Sequence, residues 1–261
     1  MIDYLAEESK TSSFLERRSI PSGGNMLTPI TRNIWGFEHD HFMPGGLHFR
    51  GRTTVLRLPS GGLLLHSPNP VCDTLAAELE ALGPVEVLVA PNSQHHVHFG
   101  PATERWPDAR RWGAPTLVEA RADLHFHHTL GRDTPAWGTV FTPHTIAGIP
   151  WLDETVFFHA ETGSLVVTDL FFHIQRPANW QSRLFFWLYG LSGRPAQSPI
   201  VRMMAKDKPA AGRSAHTLLQ LPVTRLVPAH GPVIEEDAAS VLRRVLTRQA
   251  RWAPAALTSS D

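Results

Sequence analysis

Residues 87–100 read VLVAPNSQHHVHFG. The opening run of β-branched and aliphatic residues has the character of a strand buried on both faces. Pro91-Asn92 ends it, and three histidines follow at 95, 96 and 98. Polar residues placed where an apolar strand stops are the usual positions of active-site groups in α/β sheets. The stretch is either the corner of a metal site or a histidine-rich turn, and the rest of the chain has to decide between them.

Bulk properties narrow the choice. The chain has 261 residues, 42% of them hydrophobic and 18% charged, a globular composition with enough length for a substantial core. Lys plus Arg and Asp plus Glu both number 24, so the overall charge gives no electrostatic footprint for nucleic acid or an anionic membrane. A single cysteine, Cys72, excludes an intramolecular disulfide and any cysteine-rich zinc module. No apolar run follows a basic start as in a signal peptide, and no stretch approaches the ~18–20 apolar residues of a membrane span. The expectation is a cytoplasmic protein with a small-molecule substrate, no nucleic-acid partner and no stable membrane insertion. Fifteen histidines are many for this length, and imidazole is the commonest metal ligand.

Along the chain, residues 1–25 are polar and lead through Pro21, Gly23 and Gly24 to Met26, which predicts a disordered extension. ITRNIWGFE and LHFRGRTTVLRL read as strands, and a Ser-Gly-Gly turn at 60–62 followed by LLLHSP gives a hairpin signal. EHDHFMPGGLHF between them reads as an early loop carrying His39, His41 and His48. A helix is expected over TLAAELEAL, with Asp73 as N-cap and Gly83-Pro84 as its stop. VEVLVA is a strand, ATERW a short helix, and RRWGAPTLVEA a strand and turn. The second half repeats the order: TVFFHA and SLVVTDLFF as strands, NWQSRLFFWLYGL as a helix, TRLVPAH as a strand, and EEDAASVLRRVLTRQA as a terminal helix. This mixture predicts a layered α/β protein, with residues 26–261 as one domain and a helical insertion near 176–215.

Four strand ends carry chemistry-bearing side chains. Asn92, His95, His96 and His98 follow VLVA, His144 follows GTVFTP, Asp169 follows SLVVT, and His230 follows TRLVPA. Singly, a histidine at a strand end is more often capped or solvated than a ligand, and an aspartate there is often an N-cap. Together, one carboxylate and several imidazoles match the ligand chemistry of zinc, iron or manganese. DLHFHH (His125, His127, His128) lacks a nearby carboxylate and reads as a solvated strand or loop. His159 and His173 flank the Asp169 strand, the first as a structural group and the second as a weaker ligand candidate.

The segments PNSQHHVHFG, TPHTIAG, GSLVVTDLFF and VPAHG, in that order, resemble the motifs of the metallo-β-lactamase-fold superfamily. The resemblance covers roughly residues 30–250 and points to a divergent branch with HH in place of the Asp-His of the first motif. It implies a four-layer αββα sandwich with a site along one edge. It also implies a metal set drawn from His95, His96, His144, Asp169 and His230, with Asp169 and His96 as catalytic candidates. His144 and Asp169 lie 25 positions apart, close to the family spacing.

The departures from the pattern are specific. One register lays His95 and His96 on the family's Asp-His pair and puts Pro91 and Ser93 where its first two histidines stand. A one-residue shift puts Asn92 and Gln94 there and His96 on the aspartate. In neither register is His-x-His present, which predicts one bound ion rather than two. Zinc is the first choice, with iron and manganese as alternatives. The family often has a bracing aspartate at the strand end near Leu65, where this chain has His66-Ser67.

The resemblance implies a hydrolase in which metal-bound hydroxide attacks a small ester, lactone, thioester or phosphoester. Two alternatives stand beside it: a non-haem iron oxidoreductase, since two histidines and a carboxylate also suit iron, and a non-catalytic binding protein with a degenerate site. The aromatic segment 183–191 reads as a helix packed on the sheet. Its alternatives are a lid, a partner surface or a membrane-touching helix, and its aromatics leave a homodimer open.

Overall fold

The computed structural model describes residues 26–254. The expected N-terminal extension, residues 1–25, and residues 255–261 lie outside the described residues. Two sheets form the centre. The first has seven strands in chain order: β1 (Thr28–Thr31), β2 (Ile34–Met43), β3 (Leu47–Arg57), β4 (Leu63–His66), β5 (Val85–Ala90), β6 (Arg110–Gly113) and β7 (His128–Thr129). Its first four strands pair antiparallel, and β4 to β7 run parallel. The second sheet has the order β11 (Arg225–Pro228), β10 (Ser164–Val167), β9 (Thr155–His159), β8 (Phe141–Thr145), with β10 and β11 parallel.

Period-2 alternation in the strands gives each sheet two apolar faces. Ile34, Leu56, Leu64, Val87 and Val89 from the first sheet pack against Phe141, Phe157, Val166 and Val227 from the second, forming the inner layer. The other face of the first sheet buries Val55, Leu65 and Leu88 against α1 (Asp73–Leu82), α2 (Phe99–Arg105) and α3 (Pro115–Ala120). The outer face of the second sheet buries Phe158, Leu165 and Leu226 against α6 (Lys208–Leu219) and α7 (Ala238–Ala250). The result is the expected αββα sandwich. Two further helices, α4 (Trp180–Leu188) and α5 (Pro199–Met203), lie in the 176–215 region between β10 and β11.

Several local expectations are revised. EHDHFMPGGLHF is not a loop: His39 and His41 lie in β2 and His48 in β3, paired in a long hairpin whose tip is Pro44–Gly46. Asp73 is the first residue of α1, and Cys72 is its N-cap. PTLVEA, expected as strand and turn, is the helix α3, because Pro115 sits at its first turn where a missing N–H costs nothing.

What matters for function is direction. β4 and β5 are parallel, as are β10 and β11, so the polar residues after these strands all emerge at C-terminal strand ends. Arg52 fastens the two sheets beside them. Its backbone N–H donates to the Ala229 carbonyl at 2.8 Å, and its buried guanidinium donates to the Pro228 carbonyl at 2.6 Å and to Glu38 at 2.5 Å.

Candidate metal centre

Of the five residues named as metal candidates, the fold brings three together. His95 Nε2 lies 3.1 Å from Asp169 Oδ2 and 3.2 Å from His230 Nε2, and His230 Nε2 lies 3.4 Å from Asp169 Oδ1. Among the described residues, this is the cluster of three such groups whose ligand atoms all gather within 4.8 Å. Ligand distances of 2.0–2.1 Å around a tetrahedral ion imply donor–donor edges of about 3.3 Å. The observed triangle fits that size.

The second nitrogen of each imidazole is committed elsewhere. His230 Nδ1 donates to the Arg50 carbonyl at 2.9 Å, which turns Nε2 toward Asp169. His95 Nδ1 is 2.6 Å from Ser67 Oγ. Ser67 therefore stands at the bracing place after β4, where the family that the sequence resembles often has an aspartate and this chain has His66-Ser67. Partners of this kind fix ring orientation and tautomer in metal sites. Gly231 lets the chain turn directly after His230: its φ is +116°, and a Cβ there would meet the His173 carbonyl oxygen at 1.9 Å.

Asn92 organises the histidine loop. Its Oδ1 accepts from the backbone N–H groups of Gln94 and His95, both at 2.8 Å. Its Nδ2 donates to Asp169 Oδ2 at 2.8 Å and to Thr168 Oγ1 at 2.9 Å. One buried amide thus sets the spacing between the first-sheet loop and the second-sheet aspartate.

Behind Asp169 sits a fully buried carboxylate, Glu154, whose two oxygens accept from the backbone N–H groups of Thr168 (2.7 Å) and Asp169 (2.8 Å). Burial and then the Asp169 charge push its carboxyl up to about 7, against the pull of these hydrogen bonds. Burial alone would raise Asp169, but His95 and His230 hold it well below the usual carboxylate range. Burial alone would lower His230, but the hydrogen bond and charge of Asp169 together with the Arg50 carbonyl raise its pKa. The site therefore keeps an ionised carboxylate beside two imidazoles, and a divalent cation binding there would displace the proton that Asp169 favours on His230.

His96 and His144 do not join the cluster. Neighbouring residues in an extended chain or tight loop point different ways, and where His95 faces the pocket, His96 is buried beside Arg121 and Asp123 with Nδ1 unpartnered. His144 lies in β8, with β9 between it and β10. It lines a separate open cleft of about 370 Å³ with Arg213, Ser214 and Thr217 beside α6. The turn after β8 supplies the histidine loop with backbone oxygens instead: Ser93 donates from Oγ to Trp151 and from N–H to Leu152.

Further histidines stand beside the cluster: His39 and His41, read as exposed or lining, and His98 of the histidine loop. His39, His41 and His98 lie with ring centroids 5.3–5.5 Å apart. His41 Nε2 is bonded to Asn69 Oδ1 at 3.0 Å, and burial followed by the neighbouring imidazoles pushes His41 down to about 2. Phe172 stacks on His230 and Phe49 meets it edge-on. Glu154 was not singled out in the sequence, and Ser67 appeared there only in the His66-Ser67 pair at the family's bracing position. The one clue to Glu154 was a carboxylate adjoining the buried strand TVFFH.

Comparison with solved structures gives the fold of metallo-β-lactamases. A metallo-β-lactamase from Pontibacter korlensis aligns over 85% of this chain and 98% of its own, with TM-score 0.57 and 16% identity. One from Erythrobacter litoralis aligns over 90% and 97%, with TM-score 0.56 and 12% identity. The metallo-β-lactamase FIM-1 from Pseudomonas aeruginosa in its mono-zinc form aligns over 86% and 96%, with TM-score 0.52 and 13% identity. No curated protein matches the sequence. A family model described as a domain of unknown function, DUF4336, matches residues 31–182. On a metallo-β-lactamase fold with a His95–Asp169–His230 cluster at its strand ends, this chain belongs to the DUF4336 family.

Proposed function

We propose that the protein is a metal-dependent hydrolase that holds one divalent ion, zinc in the first instance, on His95, Asp169 and His230. The observation that carries this is the size of the donor triangle, 3.1, 3.2 and 3.4 Å, with the remaining nitrogen of each imidazole already satisfied by Ser67 and Arg50. A solved neighbour of the same fold is a mono-zinc form, which supports a single-ion reading.

An ion so held supplies Lewis acidity and lowers the pKa of a water on it toward about 7. The chain's own residues do the rest. Asp169, kept ionised by its two imidazoles, balances cationic charge and accepts a hydrogen bond from Asn92. Glu154 holds the Thr168–Asp169 backbone in place. Phe49 and Phe172 shield His230 from solvent, which strengthens electrostatic interactions inside the pocket. The half-buried His39, His41 and His98, kept neutral by burial, line an approach for a polar group. These features suit a small ester, lactone, thioester or phosphoester.

Two histidines and one carboxylate are equally the donor set of non-haem iron oxygenases, and this composition favours an iron oxidoreductase as the second reading. Metal analysis of the purified, reconstituted protein separates them. Stoichiometric zinc with ester or lactone turnover supports the hydrolase, and iron with oxygen uptake supports the oxidoreductase. A folded protein that takes up no stoichiometric metal refutes both.

A further inference from the structure

Helix α4 is amphipathic with its apolar side outward. Trp180, Leu184, Trp187 and Leu188 are 68, 48, 67 and 65% exposed, and their spacing puts them on one face. The opposite side is fixed to the body. Ser182 Oγ accepts from the His48 N–H at 2.7 Å and donates to the His48 carbonyl at 2.8 Å, while Phe186 is buried with its ring 6.3 Å from that of Phe49. The exposed face therefore cannot be hidden by rotating the helix. The β2–β3 hairpin tip adjoins it, held by Asn179 Nδ2 donating to the Gly46 carbonyl at 2.8 Å, and carries exposed Phe42 and Met43.

The segment that carries this face is basic. Residues 170–206 contain Arg176, Arg183, Arg194, Arg202 and Lys206 and no aspartate or glutamate, in a chain whose charges balance overall; Arg183 lies in the helix and Arg176 just before it. Among the described residues none of these five cations forms an ion pair, and all but the half-buried Arg202 are exposed. Tryptophan, leucine and phenylalanine outward, with unpaired arginines around them, is the composition of a helix that lies in a lipid–water interface. No helix among the described residues is long and apolar enough to cross a membrane, so contact of this kind is peripheral.

We propose that the outer face of α4 and the adjoining hairpin tip dock on the surface of an anionic lipid bilayer. A second copy of the chain is a poorer occupant, because a two-fold contact sets the exposed Arg176 and Arg183 of one copy against those of the other. Docking also has a consequence for the pocket. Phe49 meets Phe186 beneath the docking face, and also His230 and His41, so two aromatic rings, Phe186 and Phe49, connect the helix to the His95–Asp169–His230 cluster.

The test uses the full chain and vesicle co-flotation, with phosphatidylcholine alone and with phosphatidylcholine mixed with phosphatidylglycerol. Binding to the anionic vesicles is expected to be at least about tenfold tighter, and to weaken in high salt. Trp187→Ser/Leu188→Ser and Arg176→Glu/Arg183→Glu, each checked for an unchanged melt, are expected to lose about tenfold or more. Failure of the folded wild type to bind anionic vesicles overturns the proposal, as does binding that neither double variant changes. A concentration-dependent dimer abolished by Trp187→Ser/Leu188→Ser, without vesicle binding, overturns it in favour of self-association. No outcome depends on the metal content of the protein.

Discussion

Glu154 gives one carboxylate oxygen to the Thr168 N–H and the other to the Asp169 N–H, at 2.7 and 2.8 Å, with no part of it exposed. A buried carboxylate spent on two consecutive backbone donors fixes the direction in which Asp169 leaves its strand. Glu154→Gln replaces one acceptor by an NH2 group facing an N–H, leaving a buried donor unpaired. A loss of about 1–3 kcal/mol is expected in denaturant melts. Metal affinity, read by chelator competition, is expected to fall about 10–100-fold, as for other groups that orient a ligand. A variant with wild-type affinity removes Glu154 from the site.

The cluster itself divides the five candidate residues. Asp169→Ala and His230→Ala are expected to lose stoichiometric metal, because each deletes a corner of the triangle. His96→Ala and His144→Ala are expected to keep it, since one faces Arg121 and Asp123 and the other lines the cleft by Arg213. Elemental analysis after dialysis reads all four. Retention in both ligand variants shows the site to be elsewhere.

Ser67 offers a milder perturbation. Its hydroxyl lies 2.6 Å from His95 Nδ1, so Ser67→Ala frees the ring without touching a ligand atom. Metal affinity is expected to drop about 10–100-fold, with the stoichiometry at saturation unchanged. An isothermal titration that gives the wild-type affinity refutes the bracing role.

Stability should depend on pH through His66. It is fully buried against Phe157, its Nε2 has no hydrogen-bond partner, and burial pushes its pKa from 6.5 down to about 3. The unfolded chain takes up this proton near pH 6.5, whereas the folded chain resists until about pH 3. Stability is therefore complete above the upper value and falls as the pH drops through the window, by up to about 1.4 kcal/mol per pH unit for this group. Other buried histidines add to the slope, among them His96 and His98, each pushed down to about 4. Urea melts at pH 7 and pH 5 are expected to show a smaller loss in His66→Gln than in the wild type. Equal losses place the titration on other groups.

VLVAPNSQHHVHFG and the strand ends at Asp169 and His230 were legible because they are local: an apolar run with period-2 neighbours ends, and a polar residue follows. The same local signals gave the layered α/β order, since burial pattern and turn residues are written into short windows. They could not choose between His95 and His96, because a one-residue step reverses which side of the loop an imidazole faces. Nor could they exclude His144, whose spacing is right but whose strand turns it to the outer cleft. Ser67 braces His95 from 28 positions away, Asn92 reaches Asp169 across 77, and the Arg50 carbonyl meets His230 across 180. Such partners share no local pattern. They meet only when the two sheets pack and bring separate strand ends to one edge, and that packing gathered three of the five residues the sequence had offered into one cluster.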